Sequence, residues 1–370
     1  MLTQGTDVFV AGGGPAGLAA AIAAARRGFS VTVADSAYPP IDKACGEGIM
    51  PDGVAALRAL GVDWSAVAAV PLEGIRFVDS AGEASARFSQ GAGVGMRRPV
   101  LHGVLSAAAE RAGVRLAWGT KVEAVRQGEV VAGGKTLQSR YVVCADGQNS
   151  LLRPMVGLGE GKLYRRRFGF RCHYKVQPWS PLVEVHWAEC GQAYVTPVGE
   201  EEVCVAFISP EQHVRLDEVL KLFPELQKRL SGNTPSGRTM GAVTLTRRLK
   251  AVIRGRVALL GDASGSADAI TGDGLSLAFQ QATALAEAMA QGELGEYQRK
   301  HESISNLPRR MGELMLVMDG SVRLRRRIFR GFTRSPEMFE KLLLVHTRTI
   351  SPLQIGVGDC LRFGWSMLRG

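Results

Sequence analysis

Six residues, Gly12-Gly13-Gly14-Pro15-Ala16-Gly17, limit the fold of this 370-residue chain more than any other stretch. They follow the apolar run Val8-Phe9-Val10-Ala11 and precede an Ala-rich segment, Leu18 to Arg27, that reads as a helix. Strand, glycine turn and helix in that order open a dinucleotide-binding βαβ unit. Gly12 permits the tight turn, Gly14 lets the backbone approach a pyrophosphate, and Gly17 lets the helix pack closely on the strand. Pro15 and Ala16 begin a helix whose unpaired N–H groups attract the anion. A second strand, Val31 to Ala34, ends at Asp35. That acid, followed by Ser36, lies 18 residues beyond Gly17, close to the offset of about 20 at which a carboxylate meets a ribose.

With 46% apolar and 22% charged residues, the chain is globular and long enough for two or three cores. Cysteines 45, 144, 172, 190, 204 and 360 form no CxxC pair, so neither a disulfide framework nor a thiolate metal site is expected. The first residues carry no basic leader, and no apolar run reaches the ~18 residues needed to span a bilayer. A cytoplasmic location follows as the expectation.

Residues 36 to 53, rich in Gly, Pro and small polar types, read as a long ordered loop before a helix at Gly53 to Leu60. Residues 73 to 90 alternate as a hairpin about Asp79-Ser80-Ala81-Gly82, and a helix follows from Val100 to Ala112. Strands are expected at 114–117, 122–125 and 141–144, then at 167–176, 182–188, 193–197 and 202–208, covered by a helix near Leu216 to Leu230. After residue 256 the pattern returns to strand, glycine turn and helix. The expected fold class is therefore α/β: a discontinuous Rossmann-like nucleotide domain with an inserted antiparallel sheet domain and C-terminal helices. Its pieces run 1–72, a hairpin at 73–96, then 97–160, a substrate domain at 161–245, the returning segment 246–298, and a helical region at 299–370.

Two further motifs specify the nucleotide. One strand ends in Asp146-Gly147, with Ser150 three and Arg153 six residues beyond the glycine. Another, Val257 to Leu260, ends in Gly261-Asp262, and Thr271-Gly272-Asp273-Gly274 then opens a helix from Leu275 to Met289. With Arg98-x-x-Leu101-x-x-x-Leu105 between the first and second motifs, residues 6 to 290 resemble the flavoprotein hydroxylase superfamily typified by p-hydroxybenzoate hydroxylase. The resemblance implies FAD as cofactor. It also implies that Asp35 holds the adenosine ribose, that Val122 sits on the strand meeting adenine, and that Arg98 reaches the phosphates or ribityl chain. By the same likeness Asp146 and Gly147 lie where FAD and nicotinamide paths cross, and Asp262 accepts from a ribityl hydroxyl. Gly272, Gly274 and Leu275 place a helix N-terminus at the flavin edge, where it can stabilise negative charge.

Lys43-Ala44-Cys45-Gly46-Glu47-Gly48 and the Gly261 and Gly272 motifs look more like the geranylgeranyl-reductase-related branch, and the stretch from Phe168 to Ile208 is similar to bacterial polyketide-pathway flavin hydroxylases. The expected activity is an NAD(P)H- and oxygen-dependent monooxygenase acting on a hydrophobic phenolic or polyketide-like molecule. Reduction of an isoprenoid or lipid carbon-carbon double bond is the alternative. A halogenase or a non-catalytic flavoprotein would share the cofactor motifs, but Ala193-Tyr194-Val195-Thr196-Pro197 stands where halogenases carry Trp-x-Trp-x-Ile-Pro. No second βαβ glycine motif exists, so NADH or NADPH is expected to dock transiently. Candidate groups around the substrate are His173, His186 and Tyr194, with Trp187 and Phe170, if their strands place them over the flavin; Cys45 and Gly46 lie on the loop expected to border it.

The net charge of +10 is unevenly placed. Residues 299 to 334 hold ten Arg or Lys and three acids, ten minus three giving +7. Within them Leu324, Ile328 and Phe332 recur every four positions among arginines, an amphipathic pattern that could meet an anionic membrane or an acidic carrier. No nucleic-acid-binding motif accompanies the charge.

Overall fold

A computed structural model describes residues 5–126, 128–212 and 216–368. Thr6–Ala11 forms the central strand of the first sheet, paired in parallel with Val31–Asp35 on one side and Lys135–Cys144 on the other. Arg115–Trp118 and Val257–Leu259 extend the sheet in parallel at its two flanks. Thr6–Ala11, Val31–Asp35 and residues 141–144 are buried almost throughout, which explains their continuous apolar runs. The helix Pro15–Ala25 begins with Pro in its first turn and is buried from Pro15 to Ala24 apart from Ala16. Alanine suits that position, because Arg98–Arg111 and Gly274–Gln291 pack against it from outside.

The second sheet has seven strands in the order 235–249, 161–174, 202–209, 191–199, 182–188, 74–79 and 82–87. It is antiparallel except for one pair: Gly74–Asp79 lies parallel to Leu182–Ala188, with Ile75 beside Val183 and Phe77 beside Val185. The hairpin set apart at 73–96 therefore contributes two strands to the substrate sheet, and the chain leaves the nucleotide domain twice. One face of this sheet buries Cys172, Val195, Val205 and Phe207 under Phe223, Leu226 and Leu230 of the short covering helices. The other face carries Val183, Val185, Tyr194, Ala206 and Ile208 toward the nucleotide domain and the C-terminal helices.

Helices Leu294–Asp319, Val322–Arg334 and Pro336–His346 close the second face. The apolar stripe of the basic segment belongs to this core: Ile328 and Phe332 are buried, and Leu324 packs beside them. Arg325 is also buried, its Nε donating to Asp79 Oδ2 at 2.8 Å. Because the stripe covers the sheet, residues 323–334 do not offer an apolar face to a membrane or carrier. No helix among the described residues is long and apolar enough to cross a membrane.

Candidate active site

The glycine turn is held by contacts that leave no space behind it. Gly12 has φ +114°, and a Cβ there would lie 2.4 Å from the Ala145 carbonyl oxygen; at Gly17 it would lie 1.9 Å from the Gly12 oxygen. At Gly14 it would meet nothing within 4 Å, since that residue faces a cavity of about 930 Å³. Asp35 Oδ2 accepts the Gly13 N–H at 2.7 Å and Oδ1 accepts the Ala37 N–H at 2.8 Å, so the acid fixes the turn as well as bordering the cavity. His102, fully buried, reaches the Gly13 carbonyl through Nε2 at 3.0 Å. Burial lowers its pKa, which favours the neutral ring.

The Asp-Gly and Gly-Asp motifs are tied together by Arg153. Ser150 Oγ accepts the Arg153 N–H at 2.9 Å, and Arg153 Nη1 donates to the Ala263 carbonyl at 3.1 Å. This accounts physically for a serine and an arginine at those offsets. Asp146 Oδ2 accepts the Leu152 N–H, while its Oδ1 is buried without a partner. The Gly261 N–H donates to Gln281, and Asp262 stands half-exposed with Lys43 Nζ at 3.4 Å. Ser264 Oγ donates to the Gly261 carbonyl at 2.7 Å and lies 2.8 Å from His301 Nε2. Gly272, in the left-handed region at φ +71°, turns the chain into the helix that starts at Gly274. Asp273 just before it is buried, with His346 Nε2 3.3 Å from Oδ1 and Oδ2 unpartnered; burial pushes its carboxyl up, opposed by His346.

Most of the expected cofactor residues share one wall system. Gly14, Pro15, Ala16 and Asp35 line the cavity together with Cys45, Gly46, Arg98, Asp146 and Gly147, as do Gly261, Asp262, Gly272, Gly274 and Leu275. Gly12 and Gly17 lie behind the turn rather than in the wall. Ser36 and Val122 are not part of the lining: Ser36 is exposed beyond Asp35, and Val122 opens the strand Val122–Arg126 at the sheet's meander.

The substrate candidates divide differently. Strand register puts Tyr194 opposite Val185 and Ala206, on the cavity face, and His186 opposite Ala193, on the other. His186 is thus corrected to a buried partner of Glu184, Nε2 to Oε2 3.0 Å, away from the cavity. Trp187 points to the cavity side of the sheet but packs against Phe77 beneath the C-terminal helices. Tyr194 and Phe170 line the cavity. The Tyr194 hydroxyl donates to the Ile270 carbonyl at 2.8 Å, tying the sheet to the 269–272 turn, and burial pushes its pKa up.

His173 meets a residue that the sequence reading passed over. Glu47, buried at φ +59°, places Oε2 2.6 Å from His173 Nε2 and Oε1 3.1 Å from Arg171 Nη1, and also accepts the Arg98 N–H at 2.9 Å. Arg171 Nη2 donates to Asp42 Oδ1 at 2.8 Å. Glu47, His173 and Cys204 lie close enough to resemble a metal site. However, Arg171 already neutralises that carboxylate, and burial pushes the Cys204 thiol well up, so the cluster is a charge-paired brace for the 41–48 loop. The only sequence sign of Glu47 was its place in the Cys45-Gly46-Glu47-Gly48 stretch; no local pattern links it to residue 171.

The cavity fits FAD. The open side of Gly14 admits a pyrophosphate, two helix N-termini border the same space, and the Arg98 guanidinium lines it with Nε buried and unpartnered, as expected of a group awaiting an anion.

Residues 5–301 match the FAD binding domain family. The chain belongs to it. Menaquinone reductase of Mycobacterium tuberculosis is 26% identical over 314 residues, covering 76% of each chain. The 2-heptyl-3-hydroxy-4(1H)-quinolone synthase of Mycobacteroides abscessus is 28% identical over 310 residues, covering 76% of this chain and 81% of that one. Among solved structures, p-nitrophenol 4-monooxygenase from Pseudomonas putida superposes with a TM-score of 0.76 at 20% identity, over 94% of this chain and 98% of its own. The family member described here is an FAD-dependent oxidoreductase with the p-hydroxybenzoate hydroxylase type of fold.

Proposed function

We propose that the chain is an NAD(P)H-dependent monooxygenase that hydroxylates a hydrophobic phenolic or polyketide-like ring compound. The observation that carries this reading is the continuity of the cavity, which runs from the glycine turn to a sheet floor of Val183, Tyr194, Thr196, Ala206 and Ile208, with Met50 at its edge. FAD held by these residues would supply the redox chemistry between nicotinamide and oxygen. The chain's own task is positioning and drying. Arg98 and the helix at Pro15 would hold the phosphates, Asp262 would accept from the ribityl chain, and the helix at Gly274 would favour negative charge at the flavin edge. The apolar sheet face would then hold the ring and exclude water. The similarity to a quinolone synthase supports a ring substrate.

The similarity to menaquinone reductase favours a second reading, saturation of a lipid double bond. The readings separate on oxygen. Incubation of the holoenzyme with NADPH, candidate substrates and ¹⁸O₂ should give labelled, hydroxylated product with matching oxygen consumption. Stoichiometric alkene reduction under anaerobic conditions, with no label incorporated, would overturn the first reading and establish the second.

A further inference from the structure

Helix Val357–Leu368 carries apolar side chains outward as well as inward. Inward, Phe363 stacks on Phe332 with ring centroids 5.1 Å apart, and Ser366 Oγ lies 3.0 Å from Ser335 Oγ. Gly331 lets the two helices approach, because a Cβ there would fall within 3 Å of Phe363 and Met367. Outward, Val357, Leu361 and Trp365 are 77%, 69% and 58% exposed, and Leu353 just before the helix is 92% exposed. Steps of four residues advance about 40° around a helix, so these side chains make one ridge. A water-facing helix side normally carries polar groups; this one carries leucine, valine and tryptophan.

The surroundings are basic. Between Val322 and Leu368 stand nine Arg or Lys and three acids, nine minus three giving +6. Arg323, Arg326, Arg327 and Arg334 are exposed on the helix beneath, with Arg334 Nη1 donating to the Ser366 carbonyl at 3.1 Å, and Arg362 flanks the ridge on the helix itself. Of the acids, Asp359 is already paired with Lys341 and Arg362.

We propose that this ridge is an interfacial docking surface for an anionic phospholipid membrane, with the helix lying in the plane of the headgroups. The charge decides the occupant. A second copy of the chain would bring the same arginines against these, whereas an anionic lipid surface satisfies ridge and arginines together. Twelve residues of helix give about 18 Å, suited to lying on a bilayer and too short to span one. The surface is independent of the reaction performed in the cavity.

Sedimentation of the holoprotein with vesicles of phosphatidylcholine, or of phosphatidylcholine and phosphatidylglycerol at 7:3, tests this, with light scattering to follow oligomeric state. Binding should appear on the anionic vesicles, weaken as salt is raised, and fall tenfold or more in Val357→Ser/Leu361→Ser and in Arg326→Gln/Arg327→Gln, with FAD content and melting temperature unchanged. Equal or negligible binding to both vesicle types, or binding indifferent to the serine pair, would overturn the proposal. So would a dimer that the serine pair dissociates, which would make the ridge an interface between copies.

Discussion

Glu47 Oε2 lies 2.6 Å from His173 Nε2, joining the loop at the flavin cradle to the floor of the substrate sheet across 126 residues of sequence. The same carboxylate neutralises Arg171, whose side chain is 2% exposed. Removing it would leave a guanidinium buried with Asp42 as its remaining acidic partner. Glu47→Ala is therefore expected to cost about 3 kcal/mol or more in urea unfolding and to loosen FAD with it. A loss under about 1 kcal/mol would show that water reaches Arg171 and that the brace carries little.

The glycines of the turn should fail in different ways. Gly17→Ala drives a Cβ into the Gly12 carbonyl and should destabilise the apoprotein by several kcal/mol, because backbone must move on both sides. The Gly14→Val side chain would point into the open cavity, so the fold should survive within roughly 1 kcal/mol while the protein purifies colourless. The two measurements are apoprotein melting and flavin absorbance. A yellow Gly14→Val protein would remove the turn from the pyrophosphate site.

At the other end of the cradle, Asp262→Ala should weaken FAD retention by about 1 to 3 kcal/mol, a factor of roughly five to 150 in dissociation constant, if a ribityl hydroxyl loses its acceptor. Fluorescence titration of the apoprotein reads this directly. Lys43 is its ion partner at 3.4 Å on a half-exposed pair, so Lys43→Met should change affinity much less.

Stability should fall on mild acidification because of His301. Burial lowers its pKa to about 4, and it contacts Ser264 Oγ as a neutral ring. A folded pKa below the unfolded value of 6.5 means the stabilising contribution is complete above pH 6.5 and is lost as pH falls toward 4, by up to about 3 kcal/mol. Urea midpoints across that window should decline in the wild type and decline less in His301→Gln. Parallel curves would assign the acid sensitivity to other groups.

Local pattern was enough for most strands, the glycine turns and the helices that follow them, since each is set by residues within about 20 positions, but it gave no sign of the long edge strand Pro235–Leu249 that pairs with Gly161–Tyr174. What escaped it was register and distance. Alternation alone says that Glu184 and His186 share a face, but only pairing with 191–199 says which face, and a shift of one residue exchanges the two. The parallel contact of Gly74–Asp79 with Leu182–Ala188 joins segments about a hundred residues apart and leaves no local mark. The stripe Leu324, Ile328, Phe332 was visible as amphipathic, yet amphipathicity does not say whether protein or lipid receives the apolar side; here Phe339 and Phe363 do. Arg153 illustrates the reverse case, a residue noticed for its spacing whose reason, the bond to Ala263, appeared only in three dimensions.

The order of strands in the first sheet bears on how the protein is made. Thr6–Ala11 leaves the ribosome more than a hundred residues before its neighbour on one side, Lys135–Cys144, and Val257–Leu259 completes that flank later again. Cradle walls from Gly261 to Arg309 emerge later still. A nascent chain of about 250 residues thus holds a nearly complete substrate sheet beside a nucleotide sheet with an open edge, and cannot yet grip its cofactor. Flavin loading must await the segment from Gly261 to Gly274, and until Val257–Leu259 emerges the strand edge at Val142 stays unpaired.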